Sequence, residues 1–119
     1  MREMALRVES NVDAPRISRS HISEFRPALE PRFDDVLLLV SELVTNSVRH
    51  SDTESIEIRL SAANGQIRLE VIDDGPGFDP RSPRGDGMGL NLVDKLADRW
   101  GMRAAERFTV WAELQSVPG

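Results

Sequence analysis

The chain has no cysteine, which excludes disulfide staples and thiolate metal sites and leaves nothing that argues for export. It also lacks any apolar run near the roughly 20 residues needed to cross a bilayer. The opening stretch, Met1 to Val8, carries charges at Arg2, Glu3 and Arg7 and has no apolar segment of the secretory kind. A cytoplasmic setting with no membrane contact is therefore expected. Positive charge is not in excess: the net charge is -5 and the pI about 5.0. General affinity for nucleic acid or an anionic membrane is excluded on that balance. An acidic surface suits a basic protein partner, and ordinary solubility explains it equally well. There is no internal repeat and no low-complexity segment. What remains, 119 residues with 39% hydrophobic side chains, fits a single domain over 1–119 with one core.

Hydrophobic spacing supplies the elements. Ala5–Val8 reads as a short strand. Asp13 and Pro15 mark a helix start, and Ile17, His21, Ile22 and Phe25 give it a stripe until Pro27 and Pro31 impose a connector. Val36, Leu37, Val40, Leu43, Val44 and Val48 then recur at helical spacing from about Arg32 to His50. Leu38 and Leu39 fall partly outside that stripe, which predicts a helix buried around much of its circumference. Ile56, Ile58 and Leu60, then Ile67, Leu69 and Val71, alternate with polar residues, and Asn64-Gly65 between them signals a hairpin. A loop rich in glycine, proline and charge runs from Asp73 to Gly89. Leu90, Val93, Leu96, Ala97 and Trp100 mark another helix; Met102–Ala105 and Phe108–Leu114 read as a final pair of strands. The order predicts an α+β fold, with about three helices on one face of a mixed, mostly antiparallel sheet. Trp100 and Trp111 are assigned to packing.

Three short segments carry chemistry. In SELVTNSVRH, Ser41 to His50, Glu42 and Asn46 stand one helical turn apart. A carboxylate there can position water or accept a hydroxyl proton, and the amide oxygen of Asn46 can ligate a hard cation such as Mg²⁺. Taken alone, the pair is equally a solvated polar face. In DDGPG, Asp73 to Gly77, a strand-end carboxylate can accept a hydrogen bond from an exocyclic amine such as that of adenine. Gly75 and Gly77 let the backbone approach a planar ligand, although a tight turn has the same composition. In GDGMGL, Gly85 to Leu90, free backbone N–H groups before a helix suit an anion. The segment lacks the lysine of a GxxxxGK[ST] loop and follows no parallel-strand crossover, so neither common nucleotide fingerprint fits.

In this order, SELVTNSVRHS, VIDDGPGFD and GDGMGLNLVDKLADRWG resemble the N, G1 and G2 boxes of the GHKL ATPase superfamily. The wording is most similar to the small bacterial anti-sigma-factor serine/threonine kinases. The resemblance runs from about Arg32 to Leu114 and implies a Bergerat-type two-layer sandwich binding ATP with Mg²⁺. It implies that Glu42 is the general base, that Asn46 ligates Mg²⁺, and that Asp73 contacts the adenine amine with Gly75 and Gly77 beside it. Gly87 and Gly89 match the glycines that approach the phosphates. Thr45, Arg49 and His50 fall near that site, and His50 serves equally well as a cation at a helix C-terminus.

The chain departs from the pattern in two places. Nine residues separate Gly77 from Gly87, which is short for a nucleotide lid; Arg81 and Arg84 in that stretch either neutralise phosphate or are simply solvated. Arg107 and Phe108 stand where the family often has Gly-Thr, leaving Thr109 as the substitute near adenine. The resemblance further implies an anti-sigma role, with a sigma factor and a serine-bearing antagonist protein as partners, and homodimers are common in the group. The alternative is a non-catalytic ATP-binding switch that controls a protein interface. Glu42 favours the kinase; the short lid and Phe108 favour the switch. A histidine kinase would need a phosphoacceptor helix pair, for which 119 residues leave no room.

Overall fold

Alternating side chains build one sheet, in a computed structural model that describes residues 1–50, 53–75 and 90–116. The strands are β1 (Arg2–Glu9), β2 (Ser55–Ala63), β3 (Gln66–Asp73), β4 (Arg99–Ala104) and β5 (Phe108–Gln115). They lie in the order β1-β2-β3-β5-β4. Each ladder among the described residues is antiparallel, so the sheet is α+β as expected but not mixed. The β2–β3 turn has Asn64 at φ 53° and Gly65 at φ 76°. Positive φ at both central residues makes the turn's twist match that of the strands, and asparagine and glycine tolerate it best.

The helices are α1 (Ala14–Ser23), α2 (Arg26–Leu29), α3 (Phe33–His50) and α4 (Leu90–Leu96). Ile22, Leu29, Val36, Val40, Leu43 and Val93 from the helices share one core with Ile58, Leu69, Val110 and Leu114 from the strands. A fully buried aliphatic side chain contributes about 1.5–3 kcal/mol relative to exposure, so this interlayer contact is the main term holding helices to sheet. The apolar residues of α1 belong to that core: Ile22 is fully buried and Ile17 packs against it.

Several boundaries differ from the sequence reading. β1 is longer at both ends because its backbone pairs with β2 from Arg2 to Glu9. Asp13 precedes α1 without a side-chain cap; the Asn11 Oδ1 accepts its N–H at 2.9 Å instead. The proline-marked connector holds the short α2, with Pro27 in the first turn where its missing N–H costs nothing. Along α3, Leu39 is buried as expected, whereas Leu38 is 47% exposed.

The helix after the glycine loop stops at Leu96, and Trp100 belongs to β4. The Ala97 N–H still reaches the Val93 carbonyl at 2.9 Å, but the next amide, of Asp98, donates to the Glu113 carbonyl at 2.8 Å. Spacings of three and four residues between Leu96, Ala97 and Trp100 fit a helix; the ladder with β5 claims the last of them. Trp100 keeps one link to α4, donating from Nε1 to Asp94 Oδ1 at 3.0 Å.

The sheet's other face is polar. Arg68 pairs with Glu70 and Glu113, and Arg7, Arg59 and Arg107 all pair with Glu57. Trp111 lies there beneath Arg68, 4.7 Å from its ring centroid, and over Gly101. A Cβ at Gly101 would stand 2.9 Å from the Trp111 ring, so only glycine admits that ring against β4.

Candidate functional site

Two of the three segments meet in space. Asp73 ends β3 and is only 2% exposed. Its Oδ2 accepts the Ser47 hydroxyl of α3 at 2.8 Å, and its Oδ1 accepts the Gly75 N–H at 2.9 Å. An aspartate after the strand with a free amide two residues on makes a closed local turn. The bond from Ser47, twenty-six residues away in sequence, closes the gap between helix and strand end. Asn46 immediately precedes Ser47 and is itself buried at 3% exposure. Glu42, one turn earlier on α3, is half-buried. The 100° rotation per residue that put Glu42 and Asn46 on one face is kept, but at Asn46 that face is buried rather than solvated.

Each oxygen of the Asp73 carboxylate uses one lone pair on the protein and retains a second for a ligand. The carboxylate can therefore accept an amine while staying anchored. Gly75 sits in the turn; Gly77, Gly87 and Gly89, together with Arg81 and Arg84, lie outside the described residues. So does the His50 side chain. Thr45 is half-buried and Arg49 exposed on α3.

Thr109 is not brought to Asp73. The β3–β5 register sets Asp73 opposite Phe108 and Thr109 opposite Ile72. Because successive strand residues point to opposite faces, Thr109 shares the polar face with Trp111. Phe108, buried at 6% exposure, holds the place beside Asp73. The register therefore puts Thr109 and Asp73 on opposite faces of the sheet.

Sequence reasoning missed Ser47, Thr53 and Arg107. Thr53 Oγ1 accepts the Asp74 N–H at 3.3 Å. Arg107 donates from Nε to Asp74 Oδ1 at 2.7 Å and from a terminal nitrogen to Glu57 Oε1 at 3.0 Å. For Ser47 a signal existed, a hydroxyl directly after Asn46 in the first of the three segments. For Arg107 only its departure from the family pattern drew notice.

Burial opposes ionisation of Glu57, yet hydrogen bonds from Arg59 and Arg107 outweigh it and hold the carboxyl below its ordinary value of 4.5. A lowered carboxyl pKa stabilises the fold above the unfolded value and loses that contribution as pH falls through the folded one. Stability should therefore drop as pH is lowered below about 4.5, and Glu57→Gln should flatten part of the drop. Urea midpoints collected from roughly pH 6 to pH 3 check this; identical acid profiles for both proteins would refute it.

Residues 33–118 match the model of the histidine kinase-, DNA gyrase B-, and HSP90-like ATPase family. The chain belongs to that family. Membership in this ATPase family implies ATP binding, and the anchored Asp73 carboxylate fits the adenine half of that ligand. An anti-sigma F factor of Caldanaerobacter subterraneus subsp. tengcongensis is 25% identical over 98% of this chain and 85% of its own length. The sensor histidine kinase LiaS of Bacillus subtilis is 34% identical over 57% of this chain, but only 19% of LiaS is covered. A sensor-like histidine kinase of Chloroflexus aurantiacus is 35% identical with 13% of its length covered. Thus the chain spans less than a fifth of each of those two kinases. Among solved structures, the RsbU and RsbW domains of Rv1364c from Mycobacterium tuberculosis superpose with a TM-score of 0.74 at 18% identity, over 97% of this chain and 32% of that one. Histidine kinase AdeS of Acinetobacter baumannii gives 0.59 at 13% identity, over 98% of this chain and 69% of AdeS. Those two likenesses show the fold. No helix among the described residues is long and apolar enough to cross a membrane.

Proposed function

We propose that this ATPase-family chain is a cytoplasmic protein-serine kinase of the anti-sigma type, which binds a sigma factor and phosphorylates a serine on a small antagonist protein. One observation carries the kinase part. Glu42 stands one turn from the buried Asn46 on α3, and no described residue hydrogen-bonds to its carboxylate, while each oxygen of the adenine-side Asp73 carboxylate already accepts one bond from the protein. A carboxylate with no hydrogen-bond partner among the described residues, beside a nucleotide site, is chemically suited to accept a proton. Asn46 would hold Mg²⁺ through its amide oxygen, and the metal would offset phosphate charge. The serine oxygen would attack the γ-phosphorus of ATP, the bond to the bridging oxygen would break to release ADP, and Glu42 would take the hydroxyl proton. The near end-to-end match to an anti-sigma F factor supports the choice of partners over the partial matches to sensor kinases.

Phe108 supports the second reading, an ATP-binding switch without transfer. An apolar ring beside Asp73 replaces the polar group expected there, so ligand binding alone would control the protein interface. Incubation with γ-labelled ATP, Mg²⁺ and a partner recovered by affinity capture separates the two. Label on a partner serine is the expected result. Label on histidine, or no transfer to a partner that demonstrably binds, would overturn the kinase reading.

A further inference from the structure

The peptide that carries Asp73 is held from two sides. On the helix side, Ser47 and Gly75 engage the Asp73 carboxylate at 2.8 and 2.9 Å. On the far side, Asp74 is engaged by the Arg107 guanidinium at 2.7 Å and, through its N–H, by Thr53 at 3.3 Å. Arg107 immediately precedes Phe108, the ladder partner of Asp73, so it enters β5 level with the end of β3. From there its planar fork spans β3 and reaches Glu57 on β2 at 3.0 Å. Glu57 is half-buried and further paired with Arg59 and Arg7. The arginine thus ties the exposed Asp74 to a carboxylate fixed within the sheet, across three strands at the site's edge.

An isolated surface ion pair contributes little. This one differs because one guanidinium joins two carboxylates through separate nitrogens, and because Glu57 is itself embedded in a network. A ligand-contacting group must be kept within about 0.5 Å of its working position by the groups around it. Asp73 has its own two bonds, but one partner, Gly75, belongs to the turn and would move with it, which leaves Ser47 on α3 as the single outside anchor.

We propose that Arg107 is a positioning residue for base recognition, acting through Asp74 to set the orientation of the Asp73 carboxylate and so the preference for adenine. The inference rests on the reading of Asp73 as the adenine contact. Guanine presents a carbonyl where adenine presents an amine, so a well-placed carboxylate accepts from one and repels the other. General destabilisation, or a change in net charge near the phosphates, would weaken both nucleotides alike. The ratio of the two affinities isolates orientation.

Calorimetric titration with ADP and GDP, on the full chain and on Arg107→Ala, Asp74→Ala and the double variant, tests this. Arg107→Ala should weaken ADP about tenfold and reduce the ADP-over-GDP preference by a similar factor. Asp74→Ala should do the same, and the double variant should be no weaker than either, because both break one link. Should Arg107→Ala fail to fold, Asp74→Ala reads that link alone, at a side chain that is 63% exposed. An unchanged preference in folded variants, or losses that add in the double variant, would overturn the proposal. Wild-type protein that binds ADP and GDP equally would instead remove the reading of Asp73, and the proposal with it.

Discussion

Asp73→Asn is expected to lower ATP affinity about ten- to hundredfold, the equivalent of losing a hydrogen bond to a charged acceptor at about 1.5–3 kcal/mol. The variant keeps the shape of the side chain and much of its anchorage. Its remaining oxygen can still accept the Gly75 N–H, and its amide nitrogen can donate to the Ser47 hydroxyl, which accepts as readily as it donates. What disappears is an acceptor for the adenine amine, replaced by a donor facing a donor. The fold should survive, since helix and sheet are held by the aliphatic core and not by this carboxylate. Calorimetric titration with ATP and GTP measures the effect. Undiminished ATP affinity in the variant, or equal affinity for the two nucleotides in the wild type, would remove Asp73 from the site.

Glu42→Gln is expected to separate binding from transfer. A serine hydroxyl is a weak nucleophile near neutral pH, and a positioned carboxylate accepting its proton contributes about 10²–10⁴-fold in rate. Phosphotransfer should fall by about that factor, while nucleotide affinity, governed by Asp73 at the strand end, stays close to wild type. Single-turnover assays with labelled ATP and the phosphoacceptor protein, paired with ADP titrations, give both quantities. If affinity and transfer fall together, Glu42 supports the geometry of α3 or the metal and is not the base.

Much of this protein was legible before any coordinates. Every strand, the long helix and the Asn64-Gly65 turn follow from local rules. Side chains alternate on strands, recur every three or four residues on helices, and accept positive φ only where asparagine or glycine stands. Glu42, Asn46 and Asp73 each sit in a short motif whose internal spacing can be read along the chain, and the structure buries Asn46 and Asp73. Tertiary pairing decided the rest. Trp100 satisfies helical spacing, but the Asp98 amide finds the Glu113 carbonyl and the chain becomes strand. The family resemblance offered Thr109 as the residue near adenine; the antiparallel register sets Phe108 beside Asp73 and turns Thr109 to the opposite face. Leu38 and Leu39 are indistinguishable in composition, and only the packing of α3 buries one and exposes the other. Ser47 and Arg107 matter through partners twenty-six and thirty-three residues away. Periodicity and motif spacing act within a few residues of one another and so can be read along the chain. Contacts between distant segments depend on register and helix placement, and those are set only when the whole sheet closes on its core.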